Sequence, residues 1–274
     1  MNNKDYFDVL TISDNRKSVD IIQTVMGNIC LGTFFQNGSA KLYFQRGLRE
    51  QVDIQLGTLL KDKTMQWTWE IQAGEDWHLT WQEYFTPVLI GNKLAVIPDW
   101  VNDQLAPITI KIKPGMAFGT GHHETTWLML NQLIKCIKPG MSVLDFGTGS
   151  GILSIACAKL GAENISAVEF DPVCKDNFFE NLELNDLRGQ IDYFSMDVMQ
   201  WNDFNYQYIL VNMNRNIILQ LLQGIQIPKD GKIFLTGLLN EDEKVITDAC
   251  LRNNLQVIGK QIRNKWLCLK VISP

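Results

Sequence analysis

Met141-Ser142-Val143-Leu144-Asp145-Phe146-Gly147-Thr148-Gly149-Ser150-Gly151-Ile152-Leu153-Ser154-Ile155 is the stretch on which the reading of this chain turns. It joins an apolar strand to a helix start through a turn with glycine at every second position. Glycine permits a sharp turn and lets a ligand lie against backbone atoms. The helix start adds free N–H groups and the positive end of a dipole. Dinucleotide-binding folds use the same design to hold pyrophosphate, with the spacing G-x-G-x-x-G. Here the pattern is D-x-G-x-G-x-G, and Asp145 stands at the strand end, where it would repel phosphate. An acid there suits a ligand that carries positive charge or offers N–H and O–H donors.

Outward from this turn, apolar strands alternate with helices. Helices are expected over about 123–137, 152–160, 172–185, 215–225 and 242–253, and strands over 142–146, 164–169, 190–194, 206–211 and 231–236. The alternation predicts an α/β fold with a doubly wound, mainly parallel sheet. Residues 255–262 and 266–272 read as an adjacent pair of strands, so the last strand is expected to run antiparallel. Short strands at 88–90, 94–97 and 108–112 precede the first of these helices. Residues 1–73 read β-α-β-β-α-β, with Asn37-Gly38 as a hairpin signal and Trp67 and Trp69 in the last strand. That order matches a smaller N-terminal α+β ferredoxin-like domain. Residues 74–87 read as a linker helix whose Trp77, Trp81 and Phe85 recur at helical spacing, closed by Pro87. The expected division is 1–73, 74–87 and 88–274.

The chain is 46% apolar and 20% charged, enough to bury sizeable cores and against disorder. Its net charge of −5 is uneven: residues 1–73 carry eight basic and eight acidic side chains, residues 74–274 carry 17 and 22. A mildly acidic larger domain disfavours a nucleic-acid backbone as partner and is compatible with a basic protein substrate. Cys30, Cys136, Cys157, Cys174, Cys250 and Cys268 contain no C-x-x-C pair and read as buried reduced thiols. His122, His123 and Glu124 do not form H-E-x-x-H, and no metal is expected. No stretch approaches the roughly 20 apolar residues of a membrane helix. Residues 1–6 lack the basic start and apolar run of a signal peptide, so a cytoplasmic protein without membrane partners is expected.

Four further positions complete a candidate site. Glu169 ends the next strand, 22 residues after Gly147, where a carboxylate can accept both hydroxyls of a ribose. Asp171 competes for that part, but Asp171-Pro172 has the form of a helix cap. Asp197 can accept from an adenine amino group or cap a turn. Asn212 ends the strand that should border the reacting atom, where its amide can orient an amine or the cofactor; Asn212 or Asn214 can instead cap the following helix. With Asp145, Gly147 and Gly149 in the turn, this set favours S-adenosylmethionine, which has a sulfonium and an amino group and no phosphate. Pro114–Thr126 is a second glycine-rich segment able to fold over a cofactor, with Thr125 and Thr126 as alternatives for the helix start.

The segment Ala117-Phe118-Gly119-Thr120-Gly121-His122-His123-Glu124-Thr125-Thr126, the turn Asp145–Gly151, the stretch Val168–Pro172 and Val211-Asn212-Met213 together resemble the bacterial family that methylates large-subunit ribosomal protein eleven. The linker from Glu75-Asp76-Trp77 to Phe85-Thr86-Pro87 is similar as well. The resemblance implies a class I methyltransferase domain behind an N-terminal substrate-recognition domain. It implies cofactor contacts at Thr126, Gly147, Glu169 and Asn212, and methyl transfer to lysine or N-terminal amines of that ribosomal protein. Glu124 stands where the family usually has proline, Glu169 where it usually has Asp, and Asn214-Arg215-Asn216 where it is usually more apolar. Rival readings are a methyltransferase for another protein or a small molecule, a nicotinamide-dependent oxidoreductase, and a non-catalytic ribosome-associated module. An N-P-P-aromatic run, used on planar amides and adenine, does not follow Val211.

Overall fold

The structure is a computed structural model that describes residues 6–13, 30–36, 39–59, 67–73, 85–114 and 119–274. The helix expected between the first two strands of the N-terminal domain lies outside these residues, as do most of the expected linker helix at 74–87 and the Asn37-Gly38 turn itself. Two compact units divide the chain at Thr86 and Pro87.

The first unit holds strands β1 (Tyr6–Ser13), β2 (Cys30–Gln36) and β3 (Ser39–Gln45), helix α1 (Arg49–Leu59) and strand β4 (Trp67–Ala73). They form a four-stranded sheet in the order β2-β3-β1-β4, with all neighbours antiparallel, as in a ferredoxin-like unit. Strands β2 and β3 pair from Gln36 opposite Ser39, the register of a two-residue hairpin. Period-two alternation sends Leu10, Ile12, Leu42 and Phe44 into a core with Val52 and Leu56 of α1. Asp53 accepts from both indole N–H groups, Trp67 at 2.8 Å and Trp69 at 2.9 Å, so the tryptophans bury their rings with their polar edge satisfied.

The second unit begins with β5 (Val88–Ile90), β6 (Leu94–Pro98) and β7 (Ile108–Ile112), a small separate sheet. Next come α2 (Glu124–Cys136), β8 (Ser142–Phe146), α3 (Ile152–Lys159), β9 (Asn164–Glu169), α4 (Val173–Leu184) and β10 (Asp192–Ser195). Then follow β11 (Tyr208–Asn212), α5 (Arg215–Leu221), β12 (Lys232–Leu239), α6 (Glu243–Arg252), β13 (Gln256–Arg263) and β14 (Trp266–Ile272). Their sheet has the order β10-β9-β8-β11-β12-β14-β13. Only β14 runs against its neighbours, as the closing strand pair led us to expect.

Alternation along these strands builds two cores. Val143, Ile165, Ala167, Tyr208 and Leu210 face one layer with α2, α3 and α4, while Leu144, Phe146, Val168, Ile209 and Val211 face α5 and α6. This is the doubly wound α/β architecture. Its strand order reverses direction between β8 and β11, and ligands in such sheets sit outside the C-terminal strand ends at that switch point. Asp145, Gly147, Glu169 and Asn212 all belong to those ends.

Several boundaries shift. Strand β12 extends to Leu239, past the expected end at 236, because a register shift between Leu235 and Leu238 lets pairing with β14 resume. Helix α5 stops at Leu221 rather than near 225.

Candidate active site

The glycine turn is built from the strand beside it. Gly147 N–H and Thr148 N–H both donate to Val168 O, at 2.8 and 3.2 Å. Gly147 has φ of 66°, and a β-carbon there would lie 2.4 Å from Met213 Cε. Gly151 has φ of 82°, and its missing β-carbon makes room for the Phe178 ring of α4. Gly151 is therefore set by close approach as well as by dihedral angle, and Gly147 by its dihedral angle, since the Met213 methyl can move aside.

Asp145 takes a different part from the one its position suggested. It has no exposed surface. Its Oδ2 accepts from Thr148 Oγ1 and Ser154 Oγ, each at 2.7 Å, and so ties the turn to the first turns of α3. Burial pushes its carboxyl up to about 6 against those two hydroxyl hydrogen bonds, and the negative charge of Glu169 adds to the rise. Its Oδ1 is buried with no hydrogen-bond partner. The sequence signal was sound about location; the two hydroxyls three and nine residues on show that the acid belongs underneath.

Glu169 sits half-buried at the end of β9. Its Oε2 accepts from Gly149 N–H at 3.0 Å and its Oε1 from Asp171 N–H at 2.9 Å. An ionised carboxylate accepts about four hydrogen bonds, so two acceptor positions remain for a diol. The Gly149 N–H is thereby already satisfied by an acid, and the N–H of Ile152 lies 3.4 Å from Ser150 Oγ. A pyrophosphate would have to displace Glu169 and then meet its charge. This turn therefore fits a cationic, hydroxyl-bearing cofactor and disfavours a nicotinamide dinucleotide.

The competing acids are caps. Asp171 Oδ1 accepts from Val173 N–H at 2.9 Å at the start of α4, and Asp197 accepts from Met199 N–H at 2.9 Å. Asn214 caps α5, with its Oδ1 3.1 Å from the N–H groups of both Asn216 and Ile217. That leaves Asn212, half-buried at the end of β11, free of the capping duty.

The second glycine-rich segment closes onto the turn. Ser150 Oγ donates to Gly119 O at 2.6 Å. His123 caps α2, its Nδ1 2.7 Å from Thr125 Oγ1 and 3.3 Å from Thr125 N. Thr126, one residue on, is fully buried, and its Oγ1 has no hydrogen-bond partner. A buried hydroxyl without a partner is costly and uncommon. It and Asp145 Oδ1, beneath the turn, are among the buried polar atoms of this region that have no hydrogen-bond partner.

Three asparagines that the sequence reading passed over hold the segment's base. Asn177 and Asn181 lie one turn apart on α4, and Asn185 follows one turn on as its C-cap. Asn185 bonds Lys111 N–H at 3.0 Å and Lys111 O at 2.7 Å. Asn181 accepts from Lys113 N–H at 2.8 Å and donates to Ser150 O at 2.8 Å. Asn177 donates to Lys113 O at 3.0 Å. Their i, i+4, i+8 spacing was the available signal, since it puts all three on one face of the helix.

Comparison with known proteins agrees with this geometry. The family model for ribosomal protein L11 methyltransferase (PrmA) matches residues 11–273. The ribosomal protein L11 methyltransferase of Alkaliphilus oremlandii is 33% identical over 199 residues, covering 71% of this chain and 64% of the relative, just under two thirds of that protein's length. The one from Symbiobacterium thermophilum is 31% identical over 240 residues, 85% of this chain and 76% of the relative. Among solved structures, the ribosomal protein L11 methylase of Lactobacillus delbrueckii subsp. bulgaricus superposes with a TM-score of 0.64 at 27% identity, over 69% of this chain and 99% of that one. The strand order, the acid-flanked glycine turn and these matches agree: the chain belongs to the ribosomal protein L11 methyltransferase family of S-adenosylmethionine-dependent enzymes.

Proposed function

We propose that this protein transfers methyl groups from S-adenosylmethionine to amino groups of ribosomal protein L11, at lysine side chains, the N-terminus or both. The observation that carries the reading is the pairing of the glycine turn with Glu169 at 3.0 Å, which prepares the switch point for a cofactor with hydroxyls and no phosphate. The relatives' shared name supplies the acceptor.

Each residue has a proposed task. Glu169 accepts the ribose hydroxyls. Gly147 and Gly149 give backbone against which the cofactor lies. Thr126 supplies the hydroxyl that lacks a protein partner, and Asn212 orients the acceptor amine or the cofactor's amino acid portion. Asp145 supports the turn from beneath. When bound, S-adenosylmethionine supplies a methyl group on an electrophilic sulfonium.

The chain's own contribution is placement. Two partners held in line react as though at very high local concentration, and this accounts for most of the rate such a site needs. The acceptor amine must be neutral, although lysine has a reference pKa of about 10.4. Desolvation of the amine on docking beside Asn212 would favour the neutral form. Residues 1–73 serve as the acceptor-recognition domain in this reading, 74–87 as a linker and 88–274 as the domain that holds the chemistry.

The test uses purified L11 and isotopically labelled cofactor, followed by peptide mapping. Labelled methyl groups on L11 amines, abolished in Asn212→Ala, support the proposal. An unlabelled L11, under conditions where the protein binds the cofactor, refutes it.

A further inference from the structure

Met213 follows Asn212 directly at the end of β11, and the fold grips it on three sides. Its N–H donates to Thr236 O at 3.1 Å. Behind it lies Gly237, with φ of 86°, where a β-carbon would fall 2.1 Å from Met213 O and 2.9 Å from Met213 N. Only glycine fits that position. The register shift of β12 between Leu235 and Leu238 spans the same point, so the bulge and the glycine together let Met213 sit deep against the strand. On the third side, the Met213 side chain lies across Gly147. Its Cε, Cγ and Sδ are 2.4, 3.4 and 3.7 Å from the place a Gly147 β-carbon would take.

One residue therefore bridges the ends of β8 and β11, the two strands that flank the switch point. Its backbone is fixed by β12, and its side chain closes over the first glycine of the turn. The residue type suits the task, because an unbranched thioether fills irregular space and repacks readily when a neighbour arrives.

We infer that Met213 is a positioning residue that holds the Gly147 turn in register with Asn212 and so sets the affinity of the site for S-adenosylmethionine. This rests on the function proposed above and names a residue of the same site. With the thioether gone, the turn keeps its bonds to Val168 but loses the side chain packed on its outer face. Small displacements at a reacting centre are amplified in rate and binding.

The test compares wild-type protein with Met213→Ala and Met213→Leu. The measurements are calorimetric affinity for S-adenosylmethionine, KM for L11, melting temperature, and the methyl spectrum of protein labelled at methionine ε-carbons. Met213→Ala should weaken cofactor affinity about tenfold with the KM for L11 changed less than about twofold, the pattern of a lost cofactor-specific contact. Met213→Leu, close in volume, should restore most of it. The ε-methyl signal missing from the Ala variant should shift when wild type is saturated with S-adenosylmethionine. Unchanged cofactor affinity in Met213→Ala, loss that Leu does not rescue, or an unmoved ε-methyl signal overturns the inference while leaving the proposed function intact. If wild type binds no S-adenosylmethionine, the functional proposal fails and this inference fails with it.

Discussion

Two buried aspartates, one in each unit, are treated in opposite ways by their surroundings. Asp8 on β1 has 1% of its surface exposed and accepts from Arg46 at 2.8 Å, Arg49 at 2.7 Å and Gly47 N–H at 2.9 Å. Burial pushes its carboxyl up, but the Gly47 N–H and the two guanidinium groups outweigh it and hold it below the usual range. Asp145 on β8 is fully buried and hydrogen-bonded to two hydroxyls, and burial prevails, raising it to about 6. Asp8 is a finished structural element. Asp145 is held under strain of charge beneath the turn where the cofactor is proposed to bind. Perturbed carboxyls of the second kind cluster at functional sites, whereas a buried ion pair is costly chiefly when one partner is removed.

The opposite shifts give opposite pH dependences. Asp145 has a folded value above its unfolded value near 3.8, so its contribution is fully present below 3.8 and lost as pH rises through about 6. Asp145→Asn removes that titration. Relative to the variant, wild type should lose on the order of 2–3 kcal/mol of stability between pH 4 and pH 7. Denaturant titrations at a series of pH values read this directly; parallel profiles for the two proteins would show that Asp145 does not titrate in this window.

Glu169→Ala comes next. It removes the acceptor proposed for the ribose and frees the Gly149 N–H, and should weaken S-adenosylmethionine binding about thirtyfold, or about 2 kcal/mol, as expected for hydrogen bonds to a charged group. Calorimetry on a folded variant checks it, and near-normal affinity would move the ribose contact elsewhere.

Asp8→Asn should have the smallest effect, about 1–2 kcal/mol, because both arginines are partly exposed and regain water. Its sign is the reverse of that at Asp145: the depressed carboxyl stabilises above pH 3.8, and this is lost as pH falls through its lower folded value. Cofactor affinity should be unchanged. A large loss of binding in Asp8→Asn would break the distinction between a structural acid and one under the site.

The contrast also marks what the sequence made legible. Strand β8, with Val143 and Leu144 facing opposite layers, announced itself through apolar content and the glycines after it. Glu169 stands out because strand, turn and acid keep a spacing that a nucleotide crevice requires. The hydrogen bonds of Asp145 to Thr148 and Ser154 were not legible, since a strand-end acid looks the same in sequence whatever its side chain meets. Met213 and the asparagines of α4 were passed over for a related reason. Their partners lie far along the chain, from Lys113 to Asn181 and from Met213 to Gly237, so the helical spacing of the asparagines marks a shared face without naming what it meets. Polar side chains on a helix read as a solvent face until a neighbouring backbone is found against them.

No helix among the described residues is long and apolar enough to cross a membrane, and no disulfide is formed among the described residues. Burial raises the Cys174 and Cys268 thiols to about 12, so neither is a thiolate at neutral pH.

The central claim is that this protein methylates amines of one ribosomal protein. The most direct measurement gives it labelled S-adenosylmethionine and dissociated, unmethylated large ribosomal subunits, then separates protein from RNA and identifies the labelled species by mass spectrometry. Label is expected on L11, at lysine or N-terminal amines, with the RNA unlabelled. Label confined to RNA, or to a protein other than L11, would contradict it.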